Sequence, residues 1–290
     1  MRRVQRTKNR KINKARYVII ALCLAVFFYS SYHVASNYIK ASKSQQMTDK
    51  EAERIQAQIE EAMRQAQEAA QQNAQNAQNQ GGETSGSDDG TGSDSAVYVP
   101  LVLNFDGLKA TNPDIMGWLQ VDATNINYPV LYSETDRSFY LTHNYVGAYD
   151  PQGSIFIENF NSKSMSDFNT VVYGHSMLNG NMFGTLHNYS HWDIFQNYGG
   201  VTFYTPSATY HYYIFETATI PDDHIFTYLD NSSYDSIQSY ISRLNGYSNG
   251  FKRDGIYITP EDRILTLSTC TTDDSYRLVV FAVLTSVDTL

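Results

Sequence analysis

From residue 96 onward, short runs rich in Val, Ile, Tyr and Phe recur, each bounded by Gly, Pro, Asn or Asp. This pattern limits what the chain can fold into, because such runs read as strands closed off by turns. They are NINYPVL at 125–131, GSIFI at 153–157, TVVYG at 170–174, VTFY at 201–204 and residues 210–219, 264–269 and 277–287. Helical spacing is confined to a few places. Ile237, Tyr240, Ile241 and Leu244 share one face of a helix over 234–244. Phe105, Leu108, Ile115 and Trp118 space like one face of one or two short helices, broken at Asn112-Pro113. Strands and helices do not alternate as in a parallel sheet. The expectation is a closed or sandwich-like mixed β fold with a few helices. The 23 Tyr and 14 Phe suit such a fold better than a helical bundle.

The first 95 residues have a different character. Residues 1–16 carry eight Lys/Arg and no acid. Residues 17–35 (YVIIALCLAVFFYSSYHVA) are apolar, and as a helix they span about 28 Å, close to a bilayer core. The preceding charges predict a cytoplasmic N-terminus, with everything after the span outside the cell membrane. A cleaved signal peptide is the competing reading, but no clean small-residue cleavage site follows. Residues 36–80 read as a mostly solvated helical stalk. Thr48 and Glu51 make a capping-box pattern, Ile55, Ile59 and Met63 form a thin apolar stripe, and Glu60 and Arg64 are placed to pair. Residues 81–95 (GGETSGSDDGTGSDS) are a flexible linker with a reach of about 20 Å. The folded domain is expected over 96–290.

From Tyr98 to the end there are eight Lys/Arg and twenty Asp/Glu, a net charge of −12. Such a surface excludes nucleic-acid binding through a basic patch. Of the two cysteines, Cys23 lies in the apolar run, so the domain has no internal disulfide. Cys270 is then either an inert buried thiol or a reactive one. It ends a strand-like run, Arg277 opens the next, and His175 directly follows TVVYG. A thiol attacks a carbonyl as thiolate, and only a few per cent is ionised at neutral pH unless a neighbour favours it. Imidazole can give a proton to a leaving amine and take one from an incoming amine. A guanidinium stays charged and can donate to a developing oxyanion. Those three groups suffice for acyl transfer through a thioester. The other histidines stand at no metal-ligand spacing, and no metal or cofactor is expected. His143 is the rival base, expected to be structural. Arg263, at the far end of the cysteine run, is the rival cation.

The wording of these segments is more specific than the residue types. TLSTC at 266–270 followed by RLVV at 277–280 resembles the signature of sortases, membrane-anchored cysteine transpeptidases of Gram-positive bacteria. VVYGHSM at 171–177 and NGNMFGTL at 179–186 resemble the histidine segment of class B, as do INYPVL at 126–131, FYLTHNY at 139–145 and GSIFIE at 153–158. The likeness covers nearly all of 103–284. It implies an eight-stranded β-barrel with an N-terminal helical extension. It implies Cys270 as nucleophile, His175 as general acid/base and Arg277 as transition-state stabiliser, with Ser268, Tyr173 and Leu141 on the peptide. The implied substrates are surface proteins with a sorting motif of the Asn-Pro-x-Thr-Asn or Leu-Pro-x-Thr-Gly kind, cut after Thr. The implied acceptor is a peptidoglycan-precursor amine, or a Lys of another protein in pilin-polymerising relatives. Class B members often carry an acidic residue directly after the cysteine. Here that position is Thr271, with Asp273 and Asp274 close behind. A pilin-type lid over the cysteine has room only in 97–113. Two further readings are a tethered, non-enzymatic interaction domain, and a different cysteine transpeptidase acting on peptidoglycan, whose pattern is missing here.

Overall fold

A computed structural model describes residues 2–79, 103–270 and 275–289. The linker at 81–95, the start of the 97–113 segment, and Thr271, Asp273 and Asp274 lie outside the described residues. The chain divides into two compact units, Met1–Met47 and Thr48–Leu290.

Helix α1 runs without a break over Arg2–Asn79. The expected capping box at Thr48 therefore starts no new helix. The physical reason is the absence of any Gly or Pro from Met1 to Gln80. Within α1, Tyr17–Ile55 has a window of mean hydropathy 2.0, and its length and composition suffice to cross a membrane. The described side chains of residues 17–35 are exposed. Arg64 pairs with Glu61 at 2.6 Å; the side chain of Glu60, its expected partner, lies outside the described set. Ile55 is 1% exposed and sits in a cluster with Leu103, Phe105, Leu108, Trp118 and Tyr140, so it does not fit a solvated stalk. The side chains of Ile59 and Met63 lie outside the described set.

Thr48–Leu290 is built on a closed eight-stranded barrel. Helix α2 (Phe105–Thr111) leads into β1 (Ile115–Val121) and β2 (Asn127–Leu131). Then come β3 (Ile155–Ile157), β4 (Asn169–Tyr173), the short helix α3 (Trp192–Asn197), β5 (Gly200–Tyr204) and β6 (Ala208–Pro221). Helix α4 (Tyr234–Asn245) precedes β7 (Ile264–Cys270) and β8 (Tyr276–Thr289). Around the barrel the order is β1-β2-β3-β4-β7-β8-β6-β5, closed by β5 on β1. The β2–β3 and β4–β7 pairs are parallel and the others antiparallel.

The helix expected at Ile115 and Trp118 is instead strand β1. A bulge between Ile115 and Gly117 shifts the pairing with β2, which places Ile115 and Trp118 in the same cluster, three residues apart. That spacing imitates a helical face. Gly117 is needed for close approach, since a Cβ there would lie 2.4 Å from the Phe203 ring.

Strand alternation divides the barrel wall into two cores. Leu267, Leu278, Val280 and Ala282 fill the interior. Ile220, Ile264, Val279 and Phe281 face outward beneath α4, which packs through Ile237, Tyr240 and Leu244. Of the segment once open to a lid, Leu103, Phe105 and Leu108 are buried on the barrel.

Candidate active site

The parallel β4–β7 ladder brings the histidine segment to the cysteine strand. It runs from Asn169 opposite Ile264 to Tyr173 opposite Ser268. The Gly174 N–H donates to the Ser268 carbonyl at 3.2 Å, and the buried Thr269 hydroxyl donates to the Gly174 carbonyl at 2.7 Å. Gly174 must be glycine, because a Cβ would meet Ile155 at 2.4 Å and Phe183 at 2.9 Å. His175 therefore leaves β4 from a fixed point one residue beyond the ladder. Its carbonyl accepts from Phe183 N–H at 2.9 Å, which folds the following loop back on it.

Nε2 of His175 lies 2.8 Å from the Leu141 carbonyl. A carbonyl only accepts, so Nε2 carries the proton and Nδ1 is the basic nitrogen of the neutral ring. The 139–154 loop that supplies this carbonyl is itself tied down. Ser154 N–H donates to Tyr140 O at 2.9 Å and Asp150 N–H to Thr142 O at 2.8 Å. Gly153 turns at φ +62°, packed so closely that a Cβ would lie 2.6 Å from the Leu141 oxygen.

Cys270 ends β7, and its backbone pairs with Arg277 in β8. Its side chain lies outside the described set. Arg277 shares the outward face of β8 with Val279 and Phe281. Its Nη2 is 2.8 Å from Asp222 Oδ2, and its Nη1 donates to Tyr276 O at 3.1 Å. Ser268 is buried beside Tyr173. Tyr173 stacks on Phe156 at 5.6 Å and faces His224 at 6.3 Å. Burial, and then the nearby Glu158 carboxylate, push the Tyr173 phenol well above its usual value. Leu141 is 40% exposed at the rim.

The fold thus brings Tyr173, Ser268, His175, Leu141, Arg277 and the Cys270 backbone to one end of the barrel. The rivals go elsewhere. Arg263 opens the opposite end of β7 and donates to Met165 O at 3.3 Å. His143 stacks on Phe139 at 3.9 Å with Nδ1 2.8 Å from the Phe139 carbonyl. Two features escaped the sequence reading. Asp222 meets Arg277, and His224 pairs with Glu158 at 2.5 Å across 66 residues. Neither pair has a local spacing signal.

The sortase domain family model matches residues 119–285. Sortase B of Listeria monocytogenes is 31% identical over 170 residues, covering 59% of this chain and 68% of that protein. Sortase B of Staphylococcus aureus is 30% identical over 185 residues, covering 61% and 73%. The crystal structure of Clostridium perfringens sortase B superposes with a TM-score of 0.58 at 33% identity, covering 63% of this chain and all of that one.

Proposed function

The chain belongs to the sortase family of cysteine transpeptidases, in its class B branch, and we propose that it joins surface proteins to a cell-wall amine. In this reading it cleaves a C-terminal sorting motif, Asn-Pro-x-Thr-Asn or Leu-Pro-x-Thr-Gly in kind, after Thr. The α1 segment over residues 17–35 anchors it in the cell membrane, with a cytoplasmic N-terminus and the catalytic domain facing the wall.

Cys270 is the nucleophile. Its thiolate attacks the Thr carbonyl carbon, and Arg277 donates to the oxyanion that forms. As the intermediate collapses, the peptide C–N bond breaks. His175, protonated on Nδ1, gives that proton to the departing amine and leaves a thioester on Cys270. The acceptor amine then loses a proton to the same nitrogen and attacks the thioester, and the thiolate departs. Ser268, Tyr173 and Leu141 line the peptide groove. The observation that carries this reading is the register setting Cys270 opposite Arg277, next to the ladder that ends at Tyr173, two residues before His175.

The test is full-length protein in detergent with quenched peptides of both motif kinds, with and without an added amine. The expected result is cleavage after Thr, product joined to the amine, and loss of both in Cys270→Ala with an unchanged melting curve. Cleavage that survives Cys270→Ala refutes the assignment. Membrane fractionation of the full chain beside one beginning at Ser36 tests the anchor.

A further inference from the structure

We infer that Asp222 is a positioning residue for Arg277, holding its guanidinium at the mouth of the cysteine strand. This rests on the reading of Arg277 as the oxyanion donor. The geometry comes from the β6–β8 ladder. Its last pairs are Ile220 with Arg277 and Pro221 with Tyr276. One step further, the Asp222 N–H donates to the Ser275 carbonyl at 2.9 Å, so its backbone stays on the strand that bears Arg277. Asp222 stands two residues beyond Ile220, the partner of Arg277. Strand alternation therefore gives it the same face as that arginine, on the diagonal, a separation that an Asp–Arg pair can bridge. Its Oδ2 lies 2.8 Å from Arg277 Nη2.

The neighbouring acid does not compete. Asp223 turns back, its N–H donating to Pro221 O at 2.7 Å, and its carboxylate accepts from the Tyr228 hydroxyl at 2.8 Å. The loop after β6 is held at a second point by His224 on Glu158.

The pair has little to do with folding. Asp222 is 51% exposed, and ion pairs in that setting contribute little to stability. Its consequence is for Arg277, a long side chain with many rotamers, 23% exposed. With Nη2 on Asp222 and Nη1 on the Tyr276 carbonyl, the plane of the guanidinium is set.

The test uses full-length protein and an Asn-Pro-x-Thr-Asn quenched peptide. Asp222→Ala is expected to lower kcat roughly 10-fold, short of the ~10²-fold cost of losing an oxyanion donor outright, with KM moved less than about twofold. Asp222→Glu restores part of the loss. In an Arg277→Lys background, Asp222→Ala costs nothing further. Nitrogen-15 arginine NMR reads the same contact without substrate: rotation about the Arg277 Cζ–Nε bond is restricted in wild type and freed in Asp222→Ala. Unchanged kcat in Asp222→Ala beside a crippled Arg277→Lys overturns this proposal alone. Near-normal turnover in Arg277→Lys overturns the role of Arg277 and this proposal with it. A raised kcat in Asp222→Ala, or rotation that stays restricted, also overturns it.

Discussion

Nε2 of His175 donates to a main-chain carbonyl, that of Leu141, which leaves Nδ1 as the basic nitrogen of the neutral ring. A backbone partner has no side-chain signature, so the contact was invisible in FYLTHNY, although that segment was singled out. Cys270, His175 and Arg277 stand out as candidates in the sequence because each sits in a distinctive local string. Asp222 was not, because its partner is 55 residues away and only the barrel register joins them. A second unforeseen residue is Glu216, buried in β6 and 3.1 Å from Lys252. Burial raises its carboxyl above the ordinary glutamate value of 4.5, and Lys252 offsets only part of that. The folded state therefore holds this proton more tightly than the unfolded chain does. The stability linked to it is full below about pH 4.5 and is lost as pH rises through the raised value. Melting temperature against pH is expected to fall less steeply above that point in Glu216→Gln. Lys252→Met, which strands the carboxylate, should cost up to about 3–5 kcal/mol near pH 8 and much less near pH 5. Parallel melting curves for wild type and Glu216→Gln refute this.

Among the elements, the strands of the second half and helix α4 were readable within a residue or two, since their apolar runs are short and cleanly bounded. β1 was not. Its bulge replaces alternation with a three-residue repeat, and a bulge is decided by the neighbouring strand. The capping box at Thr48 misled for the opposite reason: a start signal does not end the helix already running through it. The 139–154 loop is the element on which the histidine depends most. Gly153→Ala would place a Cβ against two carbonyls, at a φ that L-residues disfavour. It is expected to destabilise the fold by about 1–3 kcal/mol and, by moving the Leu141 carbonyl, to lower kcat more than it raises KM. Urea melts and steady-state kinetics test both. Full activity in Gly153→Ala would show that the loop does not orient His175.

For the whole molecule, the compact unit Thr48–Leu290 begins well before the low-complexity linker. Ile55 lies in a cluster with α2 and β1. A protein beginning at Ala96 is expected to melt below one beginning at Thr48, and Ile55→Ala should cost about 2 kcal/mol in the longer one. Identical melting of the two truncations would mean that the helix contributes nothing to the domain. The sequence by itself determined the strand content, the apolar span and the chemical identity of the groups proposed to react, because hydrophobic period, turn residues and short motifs are local properties. Only the tertiary structure decided that β4 runs parallel to β7 and that β6 lies against β8. Those pairings join residues tens to nearly a hundred positions apart. They are selected by closing one barrel around one core, and no window of sequence contains that choice.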